Sequence, residues 1–106
     1  MITADFYKSK QDKLLGFRVT GHAGYGEFGQ DVACASVSSA VMMAANTITE
    51  AFKVEAKVIV DENEILLKLV SDENEYGDRV LLGLLTHMYF LSDEFTGCIK
   101  VKVIEK

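Results

Sequence analysis

A histidine and a cysteine lie close together in the first third of the chain and could act on each other chemically. The stretch GHAGYGEFGQDVACASVSSA, residues 21–40, contains His22 and Cys34, although all 106 residues include only two histidines and two cysteines. A thiol becomes a strong nucleophile when it loses its proton, and a neighbouring imidazole favours that loss. The spacing therefore indicates an activated thiol, provided that the fold brings the two side chains together.

The elements that would position this pair can be predicted from the periodicity of apolar residues. Alternation with a period of two predicts strands, and apolar residues at helical spacing predict helices. The order is ββαββαβ, which predicts an α+β sandwich with a mostly antiparallel sheet and two helices, in one domain over residues 1–106. Strands are predicted at residues 1–8, 13–20, 54–60, 65–70 and 99–103, and helices at 32–52 and 78–95.

The loop between the second strand and the first helix is rich in glycine, which permits backbone conformations barred to other residues. Asp31 is placed to cap the first helix, because its side chain can accept from the amides of the first turn. Cys34 would then lie near the third helical position, inside the electropositive end of the helix, where a thiolate is favoured. The loop glycines are Gly21, Gly24, Gly26 and Gly29.

Purely structural roles, and other kinds of binding site, are alternative interpretations of the same residues. Cys34 can be a small residue that fills tight packing, and His22 can be a structural residue at a strand end. A phosphate-binding loop is disfavoured, because neither the dinucleotide spacing nor the lysine of a P-loop is present and Asp31 would repel a phosphate. A zinc site that adds His87 and Cys98 is also disfavoured, since both look peripheral. We therefore expect no metal and no cofactor.

Composition and charge narrow the function classes. An apolar fraction of 49% with 25% charged residues is ordinary for a folded domain. The net charge of −5 disfavours direct nucleic-acid binding and favours a basic partner. We expect no membrane span and a cytoplasmic protein in which both cysteines stay reduced. Met42 and Met43 lie off the main face of the first helix, which suggests a further packing partner such as a second subunit.

Residues 21–40 closely resemble the ribosomal-processing cysteine protease family, Prp. The family pattern is Gly-His-Ala, a short glycine-bearing loop, Gly-x-Asp, two apolar residues, Cys-Ala, and a serine four residues after the cysteine. Chain length and element order also look like the family, while Ala33 and Ser36 stand where it more often has valine and alanine. The pattern falls here on Gly21, His22, Ala23, Gly26, Gly29, Asp31, Cys34, Ala35 and Ser38.

The resemblance implies a homodimeric cysteine endopeptidase that removes the short N-terminal extension of large-subunit ribosomal protein twenty-seven, a strongly basic protein. Cys34 would be the nucleophile and His22 the general base. Asp31 would orient the histidine or only cap the helix, and Ser38 would line the pocket or pack. Amides at the start of the first helix, those of Cys34 or Ala35, are candidate oxyanion donors.

The loop from Ala23 to Gln30, with Tyr25 and Phe28, would contact the apolar and aromatic residues before the cut. An alternative interpretation is a non-catalytic dimeric module that binds a basic ribosomal protein or an assembly factor in the same groove.

Overall fold

The computed structural model describes residues 1–21 and 28–106, and for residues 28–31 it describes the backbone alone. Over this range the strands are β1 (Ile2–Lys8), β2 (Leu14–Thr20), β3 (Ala56–Val60), β4 (Glu64–Leu69) and β5 (Ile99–Glu105). The helices are α1 (Phe28–Asn46), which continues into a π-helical turn (Thr47–Ala51), and α2 (Tyr76–Glu94). The predicted order ββαββαβ is confirmed.

The strands form one mixed sheet in the order β3-β4-β2-β1-β5. The pairs β1–β2, β2–β4 and β3–β4 are antiparallel, and β5 joins β1 in parallel. Both predicted hairpins are present, because each polar turn connects two strands that alternate apolar and polar residues. The α+β fold with a mostly antiparallel sheet is therefore confirmed.

One core fills the space between the helices and the sheet face that we call the covered face. Phe6 and Phe17 pair across β1 and β2 with ring centroids 6.0 Å apart, and both are fully buried. Val37 and Val41 of α1 and Leu81 of α2 close the same core. Each strand presents its other side chains on the opposite surface, the open face, because successive side chains of a strand point to opposite sides.

Helix α1 is more apolar than the sequence argument allowed. The segment Val32–Ala51 is long and apolar enough, with a mean hydropathy of 1.4, to pass for a membrane span by length and composition. Its inward residues, however, belong to the hydrophobic core between the helices and the sheet. Met42 packs partly against that core, while Met43 is 65% exposed. The run is therefore explained here as a core helix.

The first hairpin contains an irregularity that the alternation did not predict. Between Tyr7 and Lys8 the register of β1 against β2 shifts, so that Leu14 pairs with Lys8 and is buried while Leu15 is displaced from the covered face. The amide of Leu14 donates to the buried carboxylate of Asp78 at 2.7 Å. A buried amide needs such an acceptor, so this contact ties the bulge to the first turn of α2.

Candidate active site

Gly21, at the end of β2, is held on both sides by backbone. Its φ of +80° is unfavourable for residues with a side chain, and a Cβ at this position would overlap the carbonyl oxygen of Met1. The Gly21 amide donates to the carbonyl of Asn63 at 3.3 Å. Asp61 fixes that turn by accepting from the amides of Asn63 and Glu64 at 2.9 and 2.8 Å. Gly21 is therefore fixed in position at the end of β2.

The thiol of Cys34 lies against this point. Its Sγ donates to the carbonyl oxygen of Gly21 at 3.7 Å, across 13 residues of sequence. The side chain is 3% exposed and belongs to the hydrophobic core, and the residue is a thiol rather than half of a disulfide. Of the predicted site residues, Gly21 and Cys34 are thus brought into direct contact.

Two further predicted site residues lie on α1 near Cys34. Ser38 is four residues later, so it shares the side of the helix that carries the thiol, and it is half-buried. Ala35 is adjacent in sequence but exposed, because successive helical residues point in different directions. The geometry groups Gly21, Cys34 and Ser38 and leaves the Ala35 side chain facing solvent.

The start of α1 corrects two expectations. The helix begins at Phe28, so Asp31 is its fourth residue rather than its N-cap, and Cys34 lies in the second turn rather than the first. The electropositive effect of a helix end fades beyond the first turn. The role of the Cys34 and Ala35 amides as oxyanion donors stays a prediction.

The remaining predicted site residues are not tested. His22, Ala23, Tyr25 and Gly26 lie outside the described residues. Phe28, Gly29 and Asp31 are described by their backbone alone and are part of α1. Their roles as base, orienting group and substrate contacts stay predictions.

The second cysteine and the second histidine lie in other surroundings. Cys98 is half-buried just before β5, and the exposed His87 lies on α2 beside a shallow apolar groove that Met43 and Gly83 also line. Among the residues that the structure describes, no three His, Cys, Asp or Glu side chains are grouped to hold a metal ion. Sequence reasoning missed Asn63, since its contribution is a backbone carbonyl that no residue type signals.

Comparison with known proteins decides the family. The family model described as cysteine protease Prp matches residues 1–100. The chain belongs to this family. A curated relative, the ribosomal processing cysteine protease Prp of Bacillus subtilis (strain 168), is 42% identical over 48 residues, which cover 45% of this chain and 43% of the relative. The matched segment thus spans less than half of that relative. The resemblance seen in residues 21–40 is confirmed at the level of the family, whose model is described as a cysteine protease.

Solved structures agree with the Prp fold over the whole chain. SMU.848 from Streptococcus mutans superposes with a TM-score of 0.91 at 25% identity, covering 100% of this chain and 96% of its own. The Prp protease of S. aureus in complex with a substrate peptide gives a TM-score of 0.90 at 22% identity, covering 97% and 99%. The same S. aureus protease with a covalently linked product peptide gives 0.85 at 23% identity, with the same coverage.

Proposed function

We propose that this Prp chain is a cysteine endopeptidase in which Cys34 is the nucleophile and His22 the general base. Its substrate would be the short N-terminal extension of large-subunit ribosomal protein twenty-seven. The observation that carries the proposal is the 3.7 Å contact between the Cys34 thiol and the carbonyl of Gly21, the residue immediately before His22. The family pattern of residues 21–38 supplies both reacting groups.

The backbone at Gly21 supports the proposal that His22 is the base. Gly21 is fixed by its hydrogen bond to Asn63 and by its tight approach to Met1, and its carbonyl oxygen lies beside the sulfur. A general base must come within hydrogen-bond reach of the proton that it removes. One peptide bond beyond a carbonyl that already accepts from the thiol is a favourable origin for such a side chain.

The reaction would proceed in two balanced halves. His22 takes the thiol proton, the thiolate sulfur attacks the scissile carbonyl carbon, and the C–N bond breaks as the imidazolium returns that proton to the leaving amine. Water then attacks the thioester, the imidazole takes a proton from it, and the C–S bond breaks to release the acid and restore the thiol. Because Cys34 is 3% exposed, the sulfur must be uncovered before a peptide can reach it.

The choice of substrate rests on relatives and on charge. The Bacillus subtilis relative is named a ribosomal processing protease, and the S. aureus structure holds a substrate peptide. A basic ribosomal protein would be attracted to a chain of net charge −5. We also propose that the protein acts in the cytoplasm, where ribosomal proteins are made, and as a homodimer, for which the exposed Met43 on α1 offers apolar contact area.

The test is cleavage of a peptide that spans the predicted extension, followed by mass spectrometry. Wild type should cut the peptide. Cys34→Ala removes the sulfur with little change in packing and should not cut it. Cys98→Ala is the matched control, because it deletes the other thiol of the chain, and it should cut at the wild-type rate. Uncut peptide with folded wild type, or cutting by Cys34→Ala, would refute the protease.

The burial of Cys34 gives one reason to keep the second candidate, a non-catalytic dimeric module that binds a basic ribosomal protein. Alkylation near pH 6 separates the two, since an activated thiolate reacts faster than an ordinary thiol. The protease predicts that Cys34 is alkylated faster than Cys98 without substrate peptide, and that added peptide slows this reaction because it occupies or acylates the sulfur. The binding module predicts slow reaction at both and peptide binding that survives Cys34→Ala.

A further inference from the structure

The open face of the sheet concentrates positive charge on a chain that is negative overall. Within the strands, side chains that share the face of Tyr7 include only two carboxylates, those of Asp5 and Glu64. Lys106 directly follows β5 and lies over the Tyr7 ring with its Nζ 4.9 Å from the ring centroid. The cations on this face are Arg18, Lys57, Lys68, Lys100, Lys102 and Lys106.

Each of the two carboxylates lies close to one cation of this face, and one corner of the face is left uncompensated. Glu64 pairs with Arg18 at 3.0 Å, and Asp5 lies 3.7 Å from Lys102. At the other end, Lys57 stands directly opposite Lys68 in the β3–β4 register. Like charges in that position repel each other and weaken the strand pair. Among the described residues, neither lysine has a carboxylate within 4.0 Å.

The same corner contains a groove that is apolar at its base. Tyr7, Leu15, Gly16 and Leu66 line it, Lys68 and Lys106 flank it, and its volume is about 540 Å³. Gly16 pairs with Tyr7 on one side and with Lys68 on the other, so a residue with no side chain separates an aromatic ring from a cation. This open floor would admit a flat ring beside Tyr7.

We propose that this corner of the open face binds single-stranded nucleic acid. The lysines would contact phosphates, and one base would stack on Tyr7 after displacing the Lys106 side chain, as in other binders of single strands. From β3 to β5 the corner crosses four strand spacings, about 19 Å. Cations spread over that length fit a polyanion with repeating charges better than a single anionic group, and the aromatic ring favours a nucleobase over an acidic peptide.

The groove lies away from the candidate active site. Gly16 is near the start of β2, whereas Gly21 follows its end, a separation of five residues or about 16 Å along a strand. A nucleic-acid strand bound in the groove would therefore leave Cys34 unobstructed. The inference does not depend on the proposed protease activity. The negative net charge had disfavoured nucleic-acid binding. A net charge is a sum over the whole chain, so it does not show that cations gather on one surface.

Fluorescence anisotropy with a labelled oligouridylate tests the proposal. Wild type should bind, with a slope of log affinity against log salt near −2 for three phosphate contacts, which is a loss of almost 20-fold for a fourfold rise in salt. Lys68→Gln should weaken binding several-fold and reduce the slope by about 0.7. Tyr7→Leu should weaken binding about fivefold or more with the slope unchanged.

Arg79→Gln is the matched control, since it removes one exposed positive charge from α2, and it should leave binding unchanged. Cys34→Ala should bind as wild type does, which separates this test from that of the protease. The proposal is overturned if wild type does not bind, or if Arg79→Gln weakens binding as much as Lys68→Gln. It is also overturned if polyglutamate binds as tightly as the oligonucleotide and Tyr7→Leu has no effect, since the face would then recognise acidic peptide.

Discussion

The covered face of the sheet carries apolar side chains and touches the candidate nucleophile, whereas the open face carries six cations and a groove at one corner. Phe6 and Phe17 on the covered face are fully buried, as is Leu67 to within 1% exposure. Their open-face neighbours Tyr7, Arg18 and Leu66 are half-buried or exposed. Stability and the position of the thiol therefore depend on the covered face, whereas the proposed nucleic-acid binding depends on the open face.

The largest expected effect comes from the covered face. Phe6→Ala should lower the free energy of unfolding by about 3–5 kcal/mol, because it removes a fully buried aromatic ring and leaves a cavity. Tyr7→Ala, the next residue on the open face, should cost much less than that. Urea denaturation of both variants checks the comparison, and equal losses would contradict the division between the faces.

Gly16 of β2 is an exception to the difference between the two faces, because it matters for contact between backbones rather than for side-chain burial. A Cβ at Gly16 would overlap the carbonyl oxygen of Leu67, so Gly16→Ala should separate β2 from β4 at a cost of about 1–3 kcal/mol. Gly83→Ala is the matched control, since a Cβ there meets nothing within 4 Å. Thermal unfolding should show a lowered Tm for Gly16→Ala alone, and an unaffected Tm would show that the strands adjust freely.

The buried carboxylate of Asp78 extends the comparison to α2. Asp78→Leu leaves the buried amide of Leu14 without its acceptor and should cost about 1–3 kcal/mol. Asp78→Asn keeps an acceptor oxygen in the same place and should lose less. Chemical denaturation measures both, and identical losses would mean that the hydrogen bond contributes nothing measurable.

The smallest effect is a pH dependence at the surface. Lys13 holds the pKa of Glu75 below its usual value, mainly through its hydrogen bond to the carboxylate and secondly through the attraction of its charge. A lowered folded-state pKa gives stability that is present above the unfolded pKa and is lost as pH falls through the folded one. The small Tm advantage of wild type over Glu75→Gln should therefore shrink on acidification from pH 7 towards about pH 3. A widening gap would reverse the sign of the linkage.

Periodicity predicted the strand and helix order because that pattern is local. It failed where the determinant was distant in sequence: the bulge at Leu14 depends on Asp78, 64 residues away. It also misplaced the start of α1, since Asp31 has the side chain of a capping residue but the helix begins at Phe28. The positively charged corner of the open face was missed for a similar reason, because Lys57 and Lys68 come together only through strand pairing.

The candidate site was predictable to the extent that residue types signal chemistry. His22 and Cys34 were found from their types and spacing, and the Prp family assignment followed from residues 21–40 and is confirmed. The carbonyls of Gly21 and Asn63, which hold the chain beside the sulfur, could not be found in that way, because every residue has a carbonyl. Only the left-handed φ of Gly21 was hinted at by its identity as glycine.

The central claim is that the Cys34 sulfur attacks the substrate, and it is tested most directly by trapping the thioester. Wild type is mixed with the extension peptide, quenched in acid within the first turnover and mapped by mass spectrometry. We expect an acyl group, the N-terminal fragment of the peptide, on Cys34 and none on Cys98. Cleavage without an adduct on Cys34, together with an adduct on Cys98 or cutting by Cys34→Ala, would contradict it.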